Sequence, residues 1–376
     1  MDIEQILRAY HRDDDAEKIF DFARQLEADG ALEQAATAYD RAYGLAPEHE
    51  GIQRARATLL DRLAIVEHGI VFRYIPAGTF LMGSETGDPD ESPVHPVQLD
   101  AYWLSETPIS WAKFCELMDF QPPPYGEPDK DWVKRQNLDI FSPIRKFVLE
   151  KRGRDSWVNY LPPDLKICMQ YCEDETTEAK DWHTHIPPTA RRHQEGTIDF
   201  FGFPPRTNPD APFTYNHKPV VYIVYHGALA VGLRMSTKEI NYRLPTEAEW
   251  EKGARGGLVG MTYAWGDTLP THDNCDFGRF EELSIQKSKS FPPNGYGLYA
   301  MCGGVWEWTS DWYDAEYYTP HLHINPTGSE KGEAHVLRGG SWADDAEAVT
   351  VSYRMAEEYH TAATVGFRLC RVKTIG

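Results

Sequence analysis

Apolar residues recur at three- and four-residue spacing at the start of the chain: Ile3, Ile6, Leu7 and Tyr10, then Ile19, Phe20, Phe22, Ala23 and Leu26. That period belongs to helices with one buried face. Gly30 interrupts it, and Leu32, Ala35, Ala36, Tyr39, Ala42 and Tyr43 resume it, with Pro47 just beyond. Small Ala35 and Ala42 on either side of Tyr39 suit the close approach of two antiparallel helices, and a third helix is predicted over 52–66. A boundary falls at Glu67-His68-Gly69, dividing a helical segment (1–68) from a larger domain (69–376). Val71 to Phe80 then alternates like a strand. Thr107-Pro108-Ile109-Ser110-Trp111 reads as a turn into a helix, with Ser110 as N-cap. Residues 120–216 break the pattern. They are rich in Pro, His, Asp and aromatics, with helical stretches expected around 142–152 and 164–173, and they read as an insertion or enlarged loop layer of the kind that shapes ligand surfaces. His217 to Val221 reads as a buried strand and 225–233 as a helix. Another helix starts at Thr246, which forms a capping box with Glu249.

Composition narrows the class. The chain has 376 residues, enough for one large domain and a small one. A hydrophobic share of 41% supports a sizeable core, while 29 Gly and 26 Pro point to much loop and turn. The formal net charge of -20 argues against nonspecific binding to nucleic acid or an anionic membrane. Residues 1–20 hold Arg8, Arg12 and Lys18 among many acids, without an apolar stretch, and no run approaches the ~18 apolar residues of a membrane helix. A soluble, cytoplasmic protein is expected. The cysteines Cys115, Cys168, Cys172, Cys275, Cys302 and Cys370 are scattered, which favours free thiols over a disulfide framework. Cys168 and Cys172, four apart, would need His183, His185 or His193 to complete a zinc site; ordinary buried thiols are the favoured reading.

The second half carries Gly/Trp/Arg-rich blocks in a fixed order: Tyr242-Arg243-Leu244-Pro245-Thr246-Glu247-Ala248-Glu249-Trp250-Glu251, Tyr263-Ala264-Trp265-Gly266-Asp267, and Pro292-Pro293-Asn294-Gly295-Tyr296-Gly297-Leu298-Tyr299. Gly303-Gly304-Val305-Trp306-Glu307-Trp308, Arg338-Gly339-Gly340-Ser341-Trp342 and Gly366-Phe367-Arg368 follow. With the entry block Ile75-Pro76-Ala77-Gly78-Thr79-Phe80, this order resembles the formylglycine-generating enzymes and their sulfatase-modifying-factor relatives, over about 70–118 and 217–372. The resemblance implies an α+β, loop-rich fold of the C-type-lectin-like kind, in which the buried Trp and Arg residues are architectural. The helical segment, with Ala35, Tyr39, Ala42 and Pro47 at marker positions, resembles one tetratricopeptide repeat, which is too short for a solenoid. It is expected to pack on the main domain or on a partner protein.

The family holds calcium in its loop layer. By position, the carbonyls of Cys302, Gly303 and Val305 with the Glu307 side chain would form one site, and Asn274 with the Cys275 carbonyl would contribute to another. Gly304 stands where relatives usually have Asn. The oxidase members bind copper(I) through two thiolates a few residues after the Gly-Gly-Ser block, but this chain reads Ala343-Asp344-Asp345-Ala346-Glu347-Ala348-Val349 there, and no Cys lies between Gly339 and Leu369. Formylglycine-generating oxidase activity is therefore not expected. Sulfoxide synthases sharing the domain carry iron on three histidines; His11, His49 and His68 lack the matching spacing, and the inserted His183, His185 and His193 are candidates for an unrelated iron or copper site. Variable proteins of diversity-generating retroelements close on the same frame and bind ligands through the positions inside it. Here those positions carry Asp344, Asp345, Glu347, Glu357, Glu358, Tyr359 and His360, next to Trp342. Acids with aromatic edges suit a basic protein or peptide ligand. The leading expectation is a noncatalytic binding module with its ligand surface at 343–364; the rival is a metal-dependent oxidoreductase.

Overall fold

The computed structural model describes residues 15–117, 217–221, 223, 225–279, 285–357 and 364–374. Its first helices are α1 (Ala16–Ala28), α2 (Leu32–Leu45) and α3 (Glu50–Leu63). The Asp15 carboxylate accepts the Glu17 and Lys18 N–H groups at 3.1 and 3.2 Å, satisfying donors that a helix start otherwise leaves orphaned. Ala23, Ala35, Ala36, Tyr39 and Ala42 are buried, so α1 packs on α2 along the small–large–small stripe. Ile3, Ile6, Leu7 and Tyr10 lie outside the described residues.

Two sequence expectations are corrected here. The third helix ends at Leu63, not Val66: Ala64 is extended, and Ile65–Glu67 forms strand β1. β1 pairs with β2 (Ile70–Ile75), with Ile65 opposite Phe72. The Glu67 carboxylate is drawn across the sheet to the Arg371 guanidinium (3.0 and 3.1 Å) and the Tyr242 hydroxyl. These long-range contacts outweigh local helix preference. The strand predicted over 71–80 is two strands, β2 and β3 (Gly78–Met82), broken at Pro76, which has no N–H to donate to a ladder.

A five-stranded sheet runs β1-β2-β5-β12-β6, using β5 (Tyr102–Ser105), β6 (Ile240–Arg243) and β12 (Cys370–Lys373). A four-stranded sheet runs β10-β9-β7-β11, from β7 (Trp306–Trp312), β9 (His335–Arg338), β10 (Arg354–Glu357) and β11 (Val365–Gly366). The third sheet is β3-β4-β8, with β4 (His95–Leu99) and β8 (His323–Ile324). Helices α4 (Trp111–Leu117), α5 (Tyr225–Met235) and α6 (Glu247–Arg255) complete the mixed α+β architecture. The Ser110 hydroxyl accepts the Lys113 N–H at 3.3 Å, as the N-cap expectation required. Thr246 and Glu249 exchange the two bonds of a capping box, at 3.2 and 2.8 Å. Val220 and Val221 are buried, but the expected strand there reduces to a single bridge between Ser110 and Pro219; a proline cannot sustain a ladder.

The core is built on Trp250, Trp308 and Trp342, with buried arginines threaded between them. A buried guanidinium must be paired. Arg338 reaches Glu251, which also accepts from Arg255 at 2.6 Å; Arg354 meets Glu247 at 2.7 Å and Arg368 meets Glu307 at 2.6 Å. Arg338 also donates to the carbonyls of Val351 and Tyr353, at 2.9 and 2.8 Å, and to that of Ser352. Loops that lack a ladder are thereby hydrogen-bonded from within, which explains how so irregular a domain packs.

The helical segment is seated on this domain. Arg56 on α3 is 3% exposed. It pairs with Asp40 of α2 and donates to the carbonyls of Gly256 (2.9 Å) and Gly295 (2.6 Å), and the Tyr296 hydroxyl closes on Asp40 at 2.8 Å. No described helix is long and apolar enough to cross a membrane.

Candidate functional site

Three segments meet around the loop after β9. The turn at 263–266 closes on itself, Tyr263 and Gly266 exchanging N–H···O bonds of 2.9 and 3.1 Å. Residues alternating along it point the same way, so the rings of Tyr263 and Trp265 stack, 5.1 Å apart and 3° from parallel. Val351 N–H donates to the Thr262 carbonyl at 3.0 Å, and the Tyr263 hydroxyl reaches the Ala346 carbonyl at 3.5 Å. From the other side, Gly278 and Arg279 N–H groups donate to the carbonyls of Asp344 and Trp342, each at 2.8 Å. The 341–351 loop is thus held on two sides by backbone bonds, a rigid base for whatever its side chains present.

The expected ligand residues divide on this frame. Trp342 is 1% exposed and belongs to the core, since its indole packs beneath the loop and not on the surface. Asp344 is turned inward to its own turn: its carboxylate accepts the Ser341 N–H at 2.9 Å and the Ser341 hydroxyl. Asp345 and Glu347 are exposed, and Glu357, at the end of β10, is half-buried. Burial raises the pKa of the Tyr263 hydroxyl, and Cys302, Cys275 and lastly Glu347 push it the same way. Glu358, Tyr359 and His360 lie outside the described residues, as do Cys168, Cys172, His183, His185 and His193. The partly exposed Trp265 is a surface residue outside the expected ligand set, and its two-residue spacing from Tyr263 is the signal for it in the sequence.

Below this face is a cavity of about 150 Å³, lined by Trp265, Asn274, Asp276, Phe291, Met301 and Cys302 among others. Burial pushes the Asp276 carboxyl up to about 6, against the pull of the Gln286 N–H and Arg279. The Cys302 thiol accepts the Ala264 N–H at 3.4 Å, and burial raises it to about 12.

In the blocks expected to hold calcium, the side-chain oxygens are committed elsewhere. Both Glu307 oxygens accept from Arg368, and one also takes the Trp250 indole N–H at 2.8 Å. A guanidinium bonded to that carboxylate repels a dication. Asn274 Oδ1 accepts the Thr271 N–H at 2.8 Å and closes a turn. The Cys302 carbonyl accepts the Cys275 thiol at 3.1 Å. Gly303, at φ +76°, is held so close that a Cβ would lie 2.3 Å from the Asp276 carbonyl, and Val305 is buried. This donor set does not fit calcium at Glu307. Among the described residues, no group of three or more His, Cys, Asp and Glu could hold a metal ion.

The profile of the Sulfatase-modifying factor enzyme 1-like domain matches residues 68–373. The formylglycine-generating enzyme of Streptomyces coelicolor is 32% identical over 71% of this chain and 77% of its own length. The inactive C-alpha-formylglycine-generating enzyme 2 of Mus musculus is 27% identical over 78% and 83%. Among solved structures, Treponema denticola variable protein 1 superimposes with a TM-score of 0.50 at 17% identity, covering 82% of this chain and 97% of its own, a likeness of fold. Ordered blocks, buried arginine pairs and these matches agree: the chain belongs to the sulfatase-modifying factor enzyme 1-like family.

Proposed function

We propose that this chain is a noncatalytic recognition module that binds a protein or peptide bearing basic residues, through the face formed by Asp345, Glu347 and Trp265. The carrying observation is the loop after Gly339-Gly340-Ser341, which holds no cysteine and presents two exposed carboxylates next to a stacked indole. Exposed acids steer and orient a cationic partner, and an indole face adds cation–π attraction for an arginine or lysine. The backbone bonds that brace the loop keep the entropic cost of binding low. An inactive relative in the same family is compatible with a scaffold that has no oxidase chemistry. The exposed Phe22 on α1 gives the tetratricopeptide-like helical arm a contact of its own for a partner protein.

A competing reading, a metal-dependent oxidoreductase, rests on relatives that are formylglycine-generating enzymes. The test separates them. A fluorescein-labelled Arg- and Lys-rich peptide is titrated by anisotropy against the protein and its Asp345→Asn/Glu347→Gln double variant. The expected result is saturable binding that weakens about tenfold in the variant, ~1.4 kcal/mol, and weakens further with salt. Equal binding by both proteins sinks the proposal. Metal-dependent oxidation of a cysteine-containing peptide, read by mass spectrometry, establishes the oxidoreductase instead.

A further inference from the structure

Cys275 and Cys302 stand 27 positions apart in the chain, yet the fold makes them neighbours. A parallel bridge pairs Asp276 with Gly303, closed by the Gly304 N–H donating to the Asp276 carbonyl at 2.8 Å. One step back on each segment are the two cysteines. The Cys275 sulfur packs against this same backbone: a Cβ added at Gly303 would meet it at 2.8 Å. The thiols are in each other's surroundings: Cys275 Sγ donates to the Cys302 carbonyl at 3.1 Å, and both raise the pKa of the same Tyr263 hydroxyl. Only Cys302 of the pair lines the cavity beneath Trp265. The Ala264 N–H on its sulfur, at 3.4 Å, favours its thiolate over that of Cys275.

We propose that Cys275 and Cys302 form a redox-active dithiol that closes to a disulfide by exchange with a low-molecular-weight disulfide entering this cavity. Cys302 loses its proton and attacks one sulfur of the small disulfide. That S–S bond breaks, and the departing thiolate takes up a proton. Cys275 then loses its proton and attacks the Cys302 sulfur of the mixed disulfide, displacing the second small thiol. Two protein thiols are oxidised and one small disulfide is reduced to two thiols, so atoms and electrons balance. Burial holds both thiols largely protonated, which makes the exchange slow. The product ties the 274–279 segment to the start of the 303–308 block. Because Gly278 and Arg279 hold the 341–344 backbone, oxidation stiffens the floor under Asp345 and Glu347.

The test uses the full chain with oxidised glutathione as the small disulfide. The reaction is quenched in iodoacetamide under denaturing conditions, and the digested protein is mapped by mass spectrometry. A peptide pair joined through Cys275 and Cys302, reversed by dithiothreitol and accompanied by a higher melting temperature, is the expected result. Cys275→Ser should stop at a glutathione adduct on Cys302, while Cys302→Ser should leave Cys275 unmodified. Full alkylation of both cysteines after oxidation, or a link from either to another cysteine, overturns the proposal. So does an adduct on Cys275 in the Cys302→Ser variant, which would reverse the order of attack.

Discussion

Glu307 and Arg368 face each other with both side chains fully buried, Nε to Oε2 at 2.6 Å and a second guanidinium nitrogen to Oε1 at 2.8 Å. The pair does more than cancel charge. Arg368 also donates to the carbonyls of Ser105 (3.0 Å) and Tyr299 (2.9 Å), and Glu307 accepts from Trp250 on α6. One ion pair therefore joins β5, β7, α6 and a loop that has no ladder. Removing one partner of such a pair strands a buried charge. Arg368→Leu should cost about 3–5 kcal/mol in urea unfolding. Glu307→Gln keeps one acceptor oxygen for the indole and Nε but turns an amide N–H toward the second guanidinium nitrogen and leaves the Arg368 charge unpaired, so a loss of similar size is expected. A loss below about 1 kcal/mol for Arg368→Leu, the range of an exposed pair, would show that the pair does not carry the fold.

Arg56 holds the helical arm in place. It is buried between Asp40 and two carbonyls of the main domain, and its guanidinium lies over the rings of Tyr43 and Tyr296, 4.4 and 4.6 Å from their centres. Arg56→Met keeps the aliphatic packing and removes every polar contact, leaving Asp40 without its cation. The expected outcome is a stability loss of about 3 kcal/mol with faster protease cleavage within the helical segment 15–63. Unchanged cleavage would mean that the other contacts, such as Trp103 indole to Leu63 carbonyl (3.0 Å), suffice to seat the arm.

Asp311 makes the stability depend on pH. It lies on β7, buried against the start of α6, accepting the Glu247 N–H at 2.9 Å and the Ser310 hydroxyl at 3.0 Å. Burial, then the nearby Glu247 carboxylate, pushes its carboxyl up to about 8. A folded-state value above the unfolded one means that the native state binds the proton more tightly. The stabilisation is complete below about pH 4, declines through the interval and is gone above about pH 8. In that interval the slope is at most about 1.4 kcal/mol per pH unit. Asp311→Asn keeps an oxygen for the Glu247 N–H and cannot ionise. Melting curves between pH 5 and 8 should therefore fall less steeply for the variant. Parallel curves would assign the dependence to other groups, such as Asp276, which burial raises in the same direction.

Much of this protein can be read from order and spacing alone. The small–large–small stripe of Ala35, Tyr39 and Ala42 marks a helix pair, and Thr246 with Glu249 marks a helix start, because those signals are local and repeat at the period of the element they build. The blocks from Tyr242 to Arg368 identify the family, and the missing cysteines after Gly340 are visible by inspection. What local pattern cannot carry is the partner of each side chain. Glu307 looks like a calcium ligand until Arg368, 61 residues away, closes on both its oxygens. Trp342 and Asp344 look like surface residues until the loop folds one into the core and turns the other onto Ser341. Cys275 and Cys302 look like scattered thiols until the Asp276–Gly303 bridge sets them side by side. The sequence by itself determined which helices form, which family frame they serve and which chemistry the Gly-Gly-Ser loop lacks. Only the tertiary structure decided which acids reach solvent and which are spent on buried arginines, because pairing in a loop-rich core is set by contacts between residues distant in the chain.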